Sequence, residues 1–165
     1  MSGFKSNKDA VMAALDEALV EGMNASALAA SRLVRRTLSQ PGTGRVYRIG
    51  KGRKSGRNLR AQGLHRASAP GRPPAVNTNR LRSSWTVDSV TGFGSTITAS
   101  GNSVTIYRDG KSIVLEYGSR VEYAPMLEYG TRRMKARPYL KPTLPVLARA
   151  IPLLFQTAID RRFSK

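Results

Sequence analysis

The stretch Thr96–Tyr117, TITASGNSVTIYRDGKSIVLEY, decides the fold class because turn residues divide it into short strands. Apolar and polar residues alternate along it with the two-residue period of a strand that has one buried face. The apolar positions of this alternation are Ile97, Ala99, Val104 and Ile106. Gly101-Asn102 and Asp109-Gly110 are typical of tight hairpin turns. We therefore predict an antiparallel meander of three or four strands, which begins at Trp85 and Val87.

A long helix is predicted before the meander. Residues 6–38 carry apolar side chains every three to four positions, which is the spacing of one helix face. Ser6 and Asp9 form a candidate capping pair, and Gln40-Pro41-Gly42 ends the helix. Such a helix would be about 50 Å long. We expect it to pack against the core rather than to form a coiled coil, because its Ala and Gly residues weaken a heptad seam.

The last third of the sequence predicts two further helices. The first is short, at Tyr123–Glu128, with Gly130 as its C-terminal cap. Residues 137–142 are expected to be extended, since residues that precede proline avoid helix. The last helix is predicted for residues 143–162. The chain is thus predicted to be a single α+β domain, residues 1–165, in which a long N-terminal helix and a C-terminal helix pack on one face of a small antiparallel meander.

Nearly all of the net charge of +18 lies in one part of the sequence. No acidic residue occurs between Glu21 and Asp88, whereas 14 Lys and Arg residues do. Residues 41–79 are rich in Gly, Pro and Arg, and we interpret them as a long basic loop or hairpin arm with short strands near 45–49 and 59–65. Its candidate contact residues are Arg45, Arg48, Lys51, Arg53, Lys54, Arg57 and Arg60. The localised charge indicates an anionic partner, and nucleic acid and an acidic protein surface both stay open.

The sequence offers few residues for catalysis. Cysteine is absent, and the one histidine, His65, falls in the basic arm. The carboxylates of Glu116, Glu122 and Glu128 show no pattern of convergence, and the Gly-rich stretch lacks the context of a phosphate-binding loop. We therefore expect no enzyme activity, no cofactor and no metal, with a cryptic nuclease as a distant alternative. No apolar run approaches the roughly 20 residues of a membrane span, so no membrane partner is expected.

Two segments of the sequence resemble a known family. The first is Ala67–Ser84, ASAPGRPPAVNTNRLRSS, and the second is Val121–Thr131, VEYAPMLEYGT, followed by Ala136–Pro142, ARPYLKP. Their order is similar to that in the tail-component family of lambdoid long-tailed phages, also called head–tail joining or tail-completion proteins. The layout agrees over residues 1–160, but residue-level similarity is confined to these segments. The family usually has glycine where this chain has Asn79, a mild departure because Asn also tolerates a left-handed backbone.

The resemblance implies a structural virion protein at the neck, the junction of head and tail. Its implied partners are further copies of itself in a cyclic ring, sixfold by analogy with tail symmetry, a head-side connector or head-closure protein, and a tail terminator or tail tube protein. The ring would complete the tail end and leave a channel for double-stranded DNA. The implied location is the virion, after assembly in the host cytoplasm. The alternative function is a basic DNA-binding or packaging accessory protein that is not built into a ring.

The residues of the two similar segments have plausible physical roles of their own. Prolines and glycines stiffen or cap turns, and Thr78 is a candidate cap for the turn that carries Arg80 and Arg82. We expect these residues to set backbone shape and subunit contacts rather than to bind a small molecule. The full set of motif residues is Pro70, Gly71, Pro73, Pro74, Arg80, Leu81, Tyr123, Glu128, Tyr129, Gly130, Thr131, Arg137, Pro138, Tyr139 and Pro142.

Overall fold

A computed structural model describes residues 7–48, 64–75, 79–87, 96–99, 102–109 and 112–164. In chain order the elements are α1 (Lys8–Leu38), β1 (Val46–Arg48), β2 (Leu64–Arg66), α2 (Arg80–Ser83), β3 (Thr96–Ala99), β4 (Asn102–Asp109), β5 (Ser112–Ser119), α3 (Ala124–Tyr129), a 3-10 turn (Lys141–Thr143) and α4 (Leu144–Phe163). The predicted α+β class is confirmed, with long terminal helices and small antiparallel sheets.

Helix α1 confirms the predicted long N-terminal helix. Its 31 residues span about 46 Å. Asp9 lies in the first turn and Arg35 and Arg36 in the last, which suits the helix dipole. The predicted capping pair is wrong, because the N-cap position is Asn7, whose side chain makes no capping hydrogen bond. Ser6 lies outside the described residues.

Helix α4 packs antiparallel along α1 through small residues. Ala18, Gly22 and Ser26, spaced four apart, are buried on α1. A Cβ at Gly22 would lie 2.7 Å from Cδ1 of Phe155 on α4, so the phenyl ring needs a glycine at this position. Two ion pairs continue the contact toward the end of α4, and they join Glu21 to Arg161 and Glu17 to Arg162. The two helices therefore form one layer of the molecule.

The sheet of β3, β4 and β5 lies against α1. It is antiparallel in the order β3-β4-β5, and the predicted meander is confirmed. Val104 and Ile106 of β4 are buried against Met23 and Ala27 of α1, and Phe155 of α4 packs on the edge of the same cluster. The alternation in the sequence therefore identified the buried face of β4 correctly.

The predicted turn dipeptides are displaced by one residue. Ala99 pairs with Asn102, and Asp109 pairs with Ser112, so Asn102 and Asp109 are the ends of strand β4 rather than turn residues. The reason is that the ladder between β4 and β5 continues to both ends of β4. The residues between the strands lie outside the described part of the chain.

Trp85 does not begin a strand, which corrects the prediction. It lies in a turn after α2, where its backbone N–H donates to the carbonyl of Arg82. Its ring is buried and meets Tyr117 and Tyr139 edge-on, with centroid distances of 5.0 and 6.0 Å. Val87 also lies outside the strands and packs against the sheet core. Burial of the large indole in the core determines this conformation. The alternation of apolar and polar residues in the sequence does not indicate it.

The base of the basic arm is a two-stranded antiparallel sheet. Strands β1 and β2 pair with Tyr47 opposite His65, which confirms pairing between the two predicted arm strands. Residues 49 and 59–63 of the predicted strands lie outside the described residues, and β2 continues to Arg66. The guanidinium of Arg45 lies 5.6 Å from the centroid of the Tyr47 ring. The rest of the predicted arm lies outside the described residues, namely residues 49–63 with Lys51, Arg53, Lys54, Arg57 and Arg60.

The predicted extended segment at residues 137–142 is wrong in its second half. Lys141–Thr143 forms a 3-10 turn that leads into α4. Pro142 is compatible with this turn because its fixed φ suits the start of a helix. This segment bends because the carboxylate of Glu128 accepts hydrogen bonds from its backbone N–H groups.

Candidate functional site

The two segments that carry the family resemblance lie side by side. The N–H of Gly71 donates to the carbonyl of Ala136 at 2.9 Å. Leu81 and Trp85 then pack with Val121, Ala124 and Tyr139 in one buried cluster on the last turns of α1. Residues that are about 40 to 70 positions apart in the chain are thus joined into one structural unit, and we call it the motif site.

Glu128 is the central polar residue of the motif site. It is buried at the end of α3, and its carboxylate accepts three backbone hydrogen bonds. The donors are the N–H groups of Tyr139 at 2.8 Å, Leu140 at 3.0 Å and Lys141 at 2.8 Å. A carboxylate can accept several N–H donors at once, and bonds to an ionised acceptor are stronger than neutral ones. One side chain therefore fixes the exit of the motif segment toward α4.

Gly130 caps α3 with a positive φ, as predicted. Its backbone angles are φ 81° and ψ −179°, a conformation that is essentially restricted to glycine. A Cβ at this position would lie 2.8 Å from the carbonyl oxygen of Met134 and 2.8 Å from the N atom of Ala136. Thr131 then accepts the N–H of Met134 on its hydroxyl, and Arg137 N–H returns to the carbonyl of Leu127 at 2.7 Å. Backbone atoms therefore leave no room for a side chain at Gly130, and hydrogen bonds hold the turn after α3 together.

Tyrosines complete the buried part of the site. Burial raises the pKa of Tyr139 to about 12, and burial also raises the pKa of Tyr117. The hydroxyl of Tyr117 donates to the carbonyl of Trp85 at 2.9 Å, and the hydroxyl of Ser31 on α1 donates to the same oxygen. Both phenols therefore remain neutral at physiological pH and serve packing and hydrogen bonding.

Asn79 has a backbone conformation that glycine adopts readily. Asn79 has a φ of 62° and is the N-cap residue of α2. Its side-chain oxygen accepts a hydrogen bond from Nε of Arg82 at 2.7 Å, and Arg82 also reaches Ser39 at the end of α1. Thr78, the predicted cap, lies outside the described residues. Asparagine thus adopts a left-handed backbone at this position, which glycine would also allow.

An open cavity of about 380 Å³ lies beside the motif site. Its apolar lining includes Leu38, Ala67, Pro74, Ala75, Leu81 and Leu127. Its polar lining consists of His65, Ser68, Asn79, Arg82, Tyr123 and Arg137. Of these lining residues, all of them described, none is acidic. The cavity is therefore apolar in its walls and positive in its charge.

Two polar atoms at this cavity lack a hydrogen-bond partner among the described residues. They are Oγ of Ser68, a residue that is 3% exposed, and Nε of Arg137. Buried polar groups in native proteins are nearly always paired, so each unpaired one requires an explanation. Both atoms are enclosed by the protein, so neither is open to a molecule in the cavity.

The predicted site residues therefore fall into three groups. The buried ones are Pro74, Leu81, Glu128 and Tyr139; the half-buried ones are Pro73, Tyr123, Gly130, Arg137 and Pro138; the exposed ones are Pro70, Gly71, Arg80, Tyr129, Thr131 and Pro142. Of the arm residues, Arg45 is exposed next to β1 and Arg48 ends that strand. Sequence reasoning missed Ser68, Trp85 and the cavity, since nothing in the spacing of these residues indicates that they converge.

The three glutamates considered in the sequence have different surroundings. Glu116 on β5 accepts a hydrogen bond from Tyr107 at 3.1 Å, Glu122 is exposed, and Glu128 is held by backbone. Within the described ranges, no three His, Asp or Glu side chains are grouped so that they could hold a metal ion.

The C-terminal helix has the length and composition of a membrane span, contrary to the sequence-based expectation. The segment Lys141–Phe163 meets both criteria, with 17% of its most apolar window buried. Its burial against α1 and its ion pairs at Arg161 and Arg162 are those of a packed surface helix.

Comparison with known proteins adds no identification: no family model, curated protein or solved structure matches the chain.

Proposed function

We propose that the protein is a structural component of the neck of a tailed phage, where copies of the chain form a ring that joins the tail to the head and leaves a channel for DNA. The observation that carries this proposal is the motif site. The two segments that resemble the tail-completion family pack on each other, and their shared residues fix backbone shape through Glu128, Gly130 and Tyr139. This is the role expected of residues in an assembly protein.

Exposed apolar side chains on the helices support an assembled state. Helix α4 carries a second apolar row at helical spacing, about 100° around the helix from its buried residues Leu147 and Ala158. This row includes Val146, Ala150 and Leu153. Leu153 is 69% exposed, and Tyr129 on α3 is 81% exposed. A helix that is apolar on two faces is usually covered on both, so a partner protein over this row accounts for it.

The charge distribution supports a location next to an anionic partner. The excess of basic residues lies in the sequence between Glu21 and Asp88, which includes the predicted arm and strands β1 and β2. Aromatic residues, which bind single strands by stacking, are sparse there, since Tyr47 is the one aromatic residue between Phe4 and Trp85. Contacts to phosphates or to an acidic protein surface are the interactions that this composition favours.

A charge-removal variant of the arm tests which partner it contacts. The substitutions are Arg53→Ser, Lys54→Ser and Arg57→Ser together. We expect head–tail joining to fall at least about tenfold while affinity for duplex DNA changes less than about threefold, because 25 of the 28 basic residues remain for phosphates. Both quantities are measured on the same variant, by particle complementation and by DNA titration at fixed salt.

The control removes the same charge elsewhere, with Arg32→Ser, Arg120→Ser and Arg149→Ser, which are exposed on other parts of the surface. Normal joining is expected for this control. A large loss of DNA affinity with normal joining in the arm variant would favour the DNA-binding accessory protein instead. If neither quantity changed, the arm would contact neither partner.

A further inference from the structure

Two neighbouring segments of the motif site carry a basic surface that is separate from the arm. The N–H of Gly71 donates to the carbonyl of Ala136 at 2.9 Å, so the turn at residues 70–72 lies against the segment that follows α3. Exposed cations lie next to this hydrogen bond in both segments. We call them the basic patch, and they are Arg72, Arg132, Arg133 and Lys135.

Hydrogen bonds hold the tip of the basic patch in one conformation. Thr131 and Met134 form an antiparallel bridge, in which the N–H of Thr131 donates to the carbonyl of Met134 at 2.8 Å. The hydroxyl of Thr131 also accepts the backbone N–H groups of Arg133 and Met134, at 3.3 and 3.1 Å. Arg132 and Arg133 are therefore the two central residues of a tight turn. A backbone that is already ordered lowers the entropy cost of binding.

The charge of the basic patch is not neutralised by a described carboxylate. Residues 129–141 contain five basic residues and no acidic residue. The two carboxylates that precede them in sequence are Glu128, which accepts backbone N–H groups of residues 139–141, and Glu122, which forms no ion pair with the patch. The stretches outside the described residues contain a single acid, Asp88, which could neutralise at most one of the four charges. The patch therefore has a net positive charge in the folded chain.

The chemistry of the basic patch fits the phosphates of double-stranded DNA. Phosphate oxygens accept hydrogen bonds from Arg, Lys and Tyr side chains without regard to base sequence. Tyr129, at the end of α3 beside this segment, is 81% exposed and supplies a hydroxyl. The centre of a protein–protein interface is usually depleted in charged residues, whereas protein–DNA interfaces are strongly positive. Four cations without an acid among them therefore favour DNA over an acidic protein.

We propose that the basic patch binds the phosphate backbone of double-stranded DNA. Arg132 and Arg133 would pair with phosphates from the ordered turn, and Arg72 and Lys135 would extend the contact. The patch would line the channel of the ring, so this inference rests on the proposed function and names its DNA-contacting surface. The contact to DNA then lies at the turn after α3, while the arm contacts a protein.

Removal of three charges from the basic patch tests this contact. The substitutions are Arg132→Ser, Arg133→Ser and Lys135→Ser together, which leave the hydrogen bonds of Thr131 to the backbone intact. We expect the affinity for a random-sequence duplex of about 30 base pairs to fall at least about tenfold at about 0.1 M salt. The slope of log affinity against log salt concentration should also become shallower by about two to three, because each lost phosphate contact releases about one counterion fewer. Fluorescence anisotropy titrations at several salt concentrations measure both quantities.

A charge-matched control separates a local contact from general attraction to DNA. Arg32→Ser with Arg120→Ser and Arg149→Ser removes the same charge from other exposed positions and should change the affinity less than about threefold. Equal losses in the control and in the patch variant would overturn the proposal, as would a wild-type chain that does not bind the duplex at low salt.

A variant that keeps the charge makes the test independent of folding. Arg132→Lys with Arg133→Lys should bind the duplex within about threefold of the wild-type affinity, since sequence-independent phosphate contacts depend mainly on charge. The thermal unfolding midpoint verifies that every variant is folded. A loss of affinity in this variant as large as in the serine variant would contradict a contact that depends on charge.

Head–tail joining distinguishes failure of this contact from failure of the proposed function. If the serine variant of the patch binds DNA normally but does not join heads to tails, the patch contacts a protein, the DNA contact is wrong and the neck function stands. If the serine variant loses DNA affinity while the wild-type chain is absent from phage particles, the neck function is wrong and the DNA contact stands.

Discussion

Replacing Glu128 with alanine is expected to lower the free energy of unfolding by about 3 kcal/mol or more. The substitution leaves the N–H groups of Tyr139, Leu140 and Lys141 without their acceptor, and the first of these residues is buried. A loss of this size is a large part of the stability of a typical domain. Denaturant unfolding of the purified chain, followed by the fluorescence of Trp85, measures it.

Two neighbouring substitutions define what the Glu128 result means. Glu128→Gln keeps one acceptor oxygen and should lose less stability than Glu128→Ala. Glu122→Ala, at an exposed carboxylate in the turn that precedes α3, should change the unfolding free energy by less than about 0.5 kcal/mol. Equal stability of Glu128→Ala and Glu122→Ala would mean that the three backbone bonds do not hold the motif segment.

The substitution Gly130→Val is expected to prevent folding or to reduce the yield of folded protein severely. A non-glycine residue at this φ and ψ costs about 1–3 kcal/mol of backbone strain. The valine side chain would also collide with the backbone of Met134 and Ala136, which cannot move without opening the turn after α3. Soluble expression and the thermal unfolding midpoint report both effects.

Gly71→Ala is the matched control for Gly130→Val. Gly71 also has a positive φ, 76°, but nothing lies within 4 Å of the position that its Cβ would occupy. Its substitution therefore carries backbone strain without a collision and should cost about 1 kcal/mol. A Gly130→Val protein as stable as the Gly71→Ala protein would show that the contact with Met134 and Ala136 is not tight.

The sequence predicted those parts of the fold that have a regular period or a strong stop signal. Strand β4 followed from alternation and β5 from the Asp109-Gly110 turn signal before it. Helix α1 followed from its apolar spacing, and the cap at Gly130 from the position of a glycine after a short helix. The prediction that Trp85 begins a strand is wrong. Its actual position is set by contacts with Tyr117 and Tyr139, which are distant in the chain.

The sequence predicted which residues belong to the candidate site, but not which contacts they make. Family resemblance selected Glu128 and Arg137 and predicted only that they set backbone shape and subunit contacts. The role of Glu128 depends on a backbone segment 11 to 13 residues further along that bends back to it, and a local spacing rule cannot show this. The cavity depends on the approach of the segment after β2 to the end of α1, a contact between elements that are remote in sequence.

The mass of the assembled protein tests the central claim most directly. Native mass measurement of the chain isolated from tail-containing material, combined with low-resolution imaging of the same sample, reports both copy number and symmetry. The account predicts a closed ring of six copies of the 18.0 kDa chain. Material in which the chain occurs only as monomers or dimers would contradict it.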